Sequence, residues 1–268
     1  MRTKKILIAV LLLALPTLAF ADEALITLQK AHVNLNDQAA LQRGAQLFAN
    51  YCLSCHSANY MRYNRLTGPL GLSRKQVIDN LIFTGRKIDN TMRIAMRPAD
   101  AKRWFGIAPP DLSDEARVRG ADWLYTYLKS FYLDSSRPTG VDNLVFPKVA
   151  MPDVLWALQG WQAPVYKTVP GPQGQPVKVI TGLKQVAPGT LSPAQYDRDL
   201  RDLVTFLVYM GEPVKLERER LGVWVLLFLA VFFLAAYLLK KEYWRDVHPG
   251  HEPTKIPTAL QGIGVKPE

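Results

Sequence analysis

The chain has 268 residues, 49% hydrophobic and 21% charged. That is enough for one or two domains with a real core, and it excludes both a disordered tail and a many-pass membrane protein. Two cysteines exclude a disulfide-rich scaffold and a four-thiolate metal site, and the formal charge of +10 is spread without a long basic block, which speaks for a solvated surface and against a nucleic-acid groove.

Residues 1–21 begin with Arg2, Lys4 and Lys5, continue as an apolar stretch from Ile6, and end in the small residues Ala19 and Ala21. This is the pattern of an export signal cleaved after Ala21. It predicts an exported domain over residues 22–220, with 25 basic and 19 acidic residues. His32 precedes the first predicted helix and reads as a surface or capping residue. Asp37 is a suitable N-cap for a helix over Gln38–Asn50. Leu41, Ala45 and Phe48 fall on one face of it, and Gly44 leaves room for a second helix to come close.

That helix delivers the chain into Cys52-Leu53-Ser54-Cys55-His56. C-x-x-C-H is the attachment signature of a c-type haem. Both cysteines form thioethers with the haem vinyl groups, and His56 reaches the iron from the proximal side. A thiol redox pair and a structural disulfide are the competing readings of the two cysteines. The export signal, the immediate histidine and the preceding helix favour haem. No further cysteine exists, so the chain carries one such group at most.

Arg74–Phe83 and Ala116–Phe131 read as helices, with Trp123, Leu124 and Leu128 turned toward the middle. Phe105–Ser113 between them reads as a loop. Pro109 and Pro110 stiffen it, Asp111 can cap a following turn, and the segment could line a haem edge. The distal iron ligand is sought among the methionines. Met61 lies too close to His56 to reach the opposite face, Met92 and Met96 form an i,i+4 pair that suggests packing, and Met210 falls on a helix face. Met151 sits between Pro147 and Pro152 in a nearly apolar loop, and Pro152 biases it toward an extended conformation. Met151 is favoured on these grounds, with Met92 and Met96 next.

Val165–Val169 and Val177–Ile180 are expected to form a hairpin around a turn-rich tip. Ser192, Pro193 and Gln195 mark the start of another helix. On it Tyr196, Leu200, Leu203, Leu207 and Met210 share a face, Asp197, Arg198, Arg201 and Asp202 are expected to face water, and Gly211 ends it. Residues 221–239 are an uncharged apolar run of 19 residues, about 28 Å as a helix and close to a hydrocarbon core of roughly 30 Å. Lys240, Lys241 and Arg245 follow it, which with the export signal predicts a transmembrane helix over 221–239 and a short cytoplasmic tail over 240–268.

The ordered set ALQRG (40–44), C-x-x-C-H-S (52–57), MRY (61–63), APPDLS (108–113), NLVFPKVAMPDVLW (143–156) and LQG (158–160), followed by a single C-terminal anchor, resembles the cytochrome c1 family over nearly the whole mature chain. The resemblance implies a mainly α, class I c-type cytochrome-like haem domain with loop and hairpin insertions and one C-terminal transmembrane helix. It implies one covalently bound haem c, attached at Cys52 and Cys55 and ligated by His56 and Met151. It places Arg117 near a haem propionate, with Arg119 as a close rival, and Tyr63 and Pro110 near the haem.

The activity implied is that of the haem subunit of a bacterial ubiquinol–cytochrome c reductase. Electrons would arrive from a Rieske iron–sulfur protein and leave for a soluble or membrane-bound c-type cytochrome. The chain would work beside cytochrome b in a dimeric complex, itself binding no quinol, as a single-pass inner-membrane protein with its haem domain in the periplasm. A stand-alone membrane-anchored c-type electron carrier is the alternative. The net positive exported portion lacks the acidic docking tracts of familiar members.

Overall fold

The computed structural model describes residues 26–171 and 175–245. The expected export signal and the tail beyond Arg245 lie outside the described residues. The chain divides into two compact units, one ending at Gly211 and the other beginning at Glu212.

In the first unit, α1 (Gln38–Leu47) starts at Asp37, whose carboxylate accepts from the Ala40 amide at 2.9 Å. The helix then widens into a π-helical turn over Phe48–Cys52. β1 (Ala58–Arg62) leads through a tight helical turn, Tyr63–Leu66, to α2 (Arg74–Leu81), which opens on a Ser73–Gln76 capping box. β2 (Thr91–Met92) pairs with β1. α3 (Pro98–Phe105) follows, a helix not predicted from the sequence.

The single helix expected over Ala116–Phe131 is three elements: α4 (Glu115–Val118), α5 (Ala121–Lys129) and the strand β3 (Phe131–Leu133). Gly120, at φ +88°, breaks the first two apart, a conformation that a side chain with a Cβ resists. β3 pairs with β4 (Val141–Asn143). The short α6 (Trp156–Gln159) runs into the hairpin β5 (Gly160–Pro170) and β6 (Pro176–Pro188), paired from Gly160↔Pro188 to Pro170↔Pro176. The hairpin is therefore longer at its base than expected. Its base is tied to α5 by the Gln159 and Gln162 side-chain amides, which donate to the Lys129 carbonyl at 2.9 and 3.0 Å, satisfying an acceptor at the helix end.

α7 (Pro193–Gly211) begins on the expected Ser192–Gln195 box, with the Ser192 amide donating to Gln195 Oε1 at 3.0 Å. Tyr196, Leu200, Leu203, Leu207 and Met210 are all buried on it. Asp202 departs from expectation. It is buried, and its carboxylate meets Arg43 Nε at 2.6 Å. The reason is the crossing of α1 over α7. A Cβ added at Gly44 would stand 2.1 Å from the Asp202 carbonyl oxygen, so the glycine lets the two backbones touch and α7 carries Asp202 under α1. Phe48 and Phe206 pack one turn on, with ring centroids 5.6 Å apart.

The second unit contains α8 (Lys215–Tyr243), 29 residues with a mean hydropathy of 2.6 in its most apolar window. By length and composition it can cross a membrane. It extends the expected apolar run by several residues at both ends, because Lys and Glu propagate a helix as well as Leu does.

Candidate haem site

A cavity of about 690 Å³ opens in the first unit, walled by the π-helical turn, the 105–112 loop, α4 and α5, the 146–155 loop and α7. Its size is that of a site for a bulky organic group. Cys52 ends the π-helical turn, and Cys55 and His56 follow in the next bend. All three line the cavity. The His56 amide donates to the Cys52 carbonyl at 2.8 Å, so the pentapeptide is one folded loop with both sulfurs and the imidazole on the cavity wall.

Burial pushes the Cys52 thiol up to about 12, with the neighbouring Cys55 adding to it. A redox-active dithiol needs the opposite, a stabilised thiolate.

His56 is oriented by Pro110. Its Nδ1 lies 2.8 Å from the Pro110 carbonyl oxygen, which can only accept, so Nδ1 carries the proton and Nε2 keeps its lone pair. Burial lowers the imidazole pKa, against the carbonyl hydrogen bond, which raises it. Both features describe a neutral ring held for ligation, with the partner on its far nitrogen that metal-bound histidines usually have. The 105–112 loop provides the carbonyl. Asp111 fixes the loop by accepting from the Asn59 and Ser113 amides, each at 2.9 Å.

The sulfur comes from a distant segment. Of the methionines among the described residues, only Met151 lines the cavity. Met61, Met92 and Met210 are in the hydrophobic core, and Met96 is not on the cavity wall. The Met151 loop hangs from two buried side chains that the sequence did not single out. Asn143 Oδ1 accepts from the Val145 and Phe146 amides at 2.9 and 3.1 Å, and Asp142 Oδ1 accepts from the Val149 amide at 3.1 Å. Asn143 Nδ2 also donates to the Tyr127 carbonyl at 2.8 Å. Asparagine followed by a short apolar run with two prolines was the available signal. Asn143→Ala strands several buried groups at once, and we expect a loss of about 2–4 kcal/mol. Denaturant unfolding checks the loss, and a Met151 loop held equally firmly by other contacts would leave stability unchanged.

Two sequence-predicted residues are not at the cavity. Arg117 is exposed on α4 and packs against Gly211, whose added Cβ would meet its Cγ at 3.1 Å. Arg119 lines the cavity instead, its guanidinium 4.8 Å from the Trp123 ring and 5.7 Å from the Phe146 ring. Successive helical residues turn by about 100°, so positions two apart point in nearly opposite directions and both arginines cannot face one site. Tyr63 is fully buried in the core and contributes nothing to the wall. Pro110 does line the cavity.

The set fits a covalently held haem: two cysteine sulfurs, one neutral imidazole, one thioether and an otherwise mainly apolar wall that includes the cations Arg119 and Lys148. Among the described residues no cluster of three or more His, Cys, Asp or Glu side chains could hold a bare metal ion. His–Met ligation would fill both axial positions of a haem iron, an arrangement for electron transfer.

Comparison with known proteins agrees. The chain is 51% identical to a protein named cytochrome c1 from Allochromatium vinosum, over 91% of this chain and all of the relative. It is 49% identical to one named ammonia monooxygenase gamma subunit from Nitrosomonas europaea, over 92% of this chain and all of the relative. It is 30% identical to a cytochrome c1 from Rhodospirillum rubrum, over 79% of this chain and 83% of the relative. The sequence pattern of the Cytochrome C1 family matches residues 29–247, which takes in the whole cavity and α8, and the chain therefore belongs to the cytochrome c1 family, whose members carry covalently bound haem c.

Proposed function

We propose that the chain is the haem c electron-transfer subunit of a ubiquinol–cytochrome c reductase. It takes electrons from a Rieske iron–sulfur protein and passes them to a soluble or membrane-bound c-type cytochrome. The observation that carries this reading is the meeting of His56 and Met151, from segments far apart in the chain, at one apolar cavity that also holds both thiols. The haem supplies a one-electron Fe(III)/Fe(II) couple. The protein attaches it through Cys52 and Cys55, aims His56 with the Pro110 carbonyl, and presents Met151 from a pinned loop. Arg119 takes the propionate role that the resemblance gave to Arg117, because its guanidinium is the one on the cavity wall.

In this reading the haem domain has the class I c-type arrangement, with α1 and α7 crossing behind the cavity. Residues 1–21 are removed on export, 22–220 lie in the periplasm, the apolar run 221–239 anchors the chain, and 240–268 reach the cytoplasm. Quinol oxidation belongs to cytochrome b in the same dimeric complex, since electron transfer through a bound haem needs close approach of partners and no quinol site here.

Detergent extraction of native membranes, followed by purification on this chain, tests the assignment. We expect haem that stays attached after denaturation, a low-spin His–Met spectrum, and copurification of cytochrome b and a Rieske protein. Purification alone with haem would favour the stand-alone carrier. Copurification with monooxygenase subunits would favour the assembly named for the Nitrosomonas relative. Absence of attached haem would remove the reading altogether.

A further inference from the structure

The hydroxyl of Tyr127 lies 3.3 Å from the Met151 sulfur and donates to it. Neither partner is free to drift. The Tyr127 ring stacks on Trp123 with centroids 4.9 Å apart and planes 9° from parallel, and it meets Phe131 edge-on at 5.2 Å. Its backbone carbonyl accepts from Asn143 Nδ2, and the other end of the same amide holds the loop that delivers Met151. One buried asparagine thus fixes donor and acceptor relative to each other.

We propose that the Tyr127 hydroxyl raises the electron affinity of the haem iron by hydrogen-bonding the Met151 sulfur. The inference rests on the haem reading above and concerns the strength of one ligand. A thioether sulfur is a weak acceptor with two lone pairs. Donation of one to iron leaves the other for the phenol. A hydrogen bond draws electron density from the sulfur, and the poorer donor stabilises Fe(III) less than an unbonded thioether would. The balance moves toward Fe(II), and the potential rises. Tyr127 is a positioning residue that acts through Met151.

A support that merely filled space would leave a different trace. Loss of packing loosens the loop and lets outside ligands displace the sulfur more easily. Loss of the hydrogen bond alone makes the sulfur a better donor to Fe(III) and harder to displace. Tyr127→Phe separates the two, because it keeps the ring, its stacking on Trp123 and the backbone contact to Asn143.

In the purified native complex carrying Tyr127→Phe, potentiometric titration is expected to show the Fe(II)/Fe(III) ratio at fixed potential falling threefold to tenfold. Tenfold corresponds to about 59 mV for a one-electron couple. The methionine-to-iron charge-transfer band should persist, and the affinity of the ferric protein for cyanide should fall severalfold. An unchanged midpoint overturns the proposal. So does a lost charge-transfer band or a raised cyanide affinity, either of which marks steric support only. Failure of the haem reading itself would show in the unsubstituted protein as absence of attached haem, a result distinct from all of these.

Discussion

Met151→Ala should leave the haem attached and open its sixth coordination position. Attachment depends on Cys52 and Cys55, which belong to the π-helical turn and the bend after it, whereas Met151 arrives on a loop pinned by Asp142 and Asn143. The substitution removes a side chain without disturbing either anchor. No other methionine among the described residues stands at the cavity, and Met92 is fully buried in β2, held there by its pairing with Ala58. No sulfur is therefore placed to substitute. The thioether favours the reduced iron, and axial ligands set haem potentials over about 0.8 V. We expect the midpoint to fall by roughly 0.1–0.3 V, the His–Met charge-transfer band to vanish, and the reduced protein to bind carbon monoxide. Redox titration and reduced-minus-oxidised spectra read all three. A variant that kept its charge-transfer band would place the ligating sulfur elsewhere and would end the axial assignment made here.

The parts of the site that were legible in the sequence are those in which one short segment carries its own geometry. Cys52, Cys55 and His56 are such a segment, and so are the capped starts of α1 at Asp37 and α7 at Ser192. Gly44 was legible because a glycine inside an amphipathic helix has few uses other than close approach. What could not be read was set by partners distant in sequence. Asp202 looked like a solvent residue by helical phase, yet α1 crosses above it and supplies Arg43. Arg117 lies on α4 and Arg119 two positions on, just past its end. Composition cannot say which faces the cavity, because that depends on how Gly120 turns the chain between α4 and α5. Asn143 shows the limit most clearly. Its two functions, holding the Met151 loop and fixing Tyr127, exist only after β3, β4 and α5 have come together. α3, missed outright, is eight residues long and no side chain caps its first turn, so it lacks the capping signal that marked the starts of α1 and α7.

Gly44→Ala provides the sharpest test of how the haem domain is assembled, because two known effects oppose each other there. In an isolated helix alanine is better than glycine by about 1 kcal/mol. In this fold the new Cβ would sit 2.1 Å from the Asp202 carbonyl oxygen and 2.7 Å from Phe206 Cβ. The first obstacle is backbone and cannot rotate away. Relief requires α1 to lift from α7 by about an ångström, which stretches the Arg43–Asp202 contact and opens the packing of Phe48 on Phe206. Overpacking of this kind costs about 1–3 kcal/mol and sometimes more, and the lost contacts add to it. The clash should therefore outweigh the propensity gain, for a net loss of about 2–4 kcal/mol. In a domain of this size that lowers the midpoint of thermal unfolding by roughly 4–16 °C. The same lift displaces Cys52, since α1 runs straight into the π-helical turn that carries it, so haem attachment during maturation should fall along with stability. Thermal unfolding of the purified complex, followed in the haem absorbance, together with the haem content per chain, measures both. A variant as stable and as fully loaded as the parent would mean that the two helices do not cross in contact at Gly44.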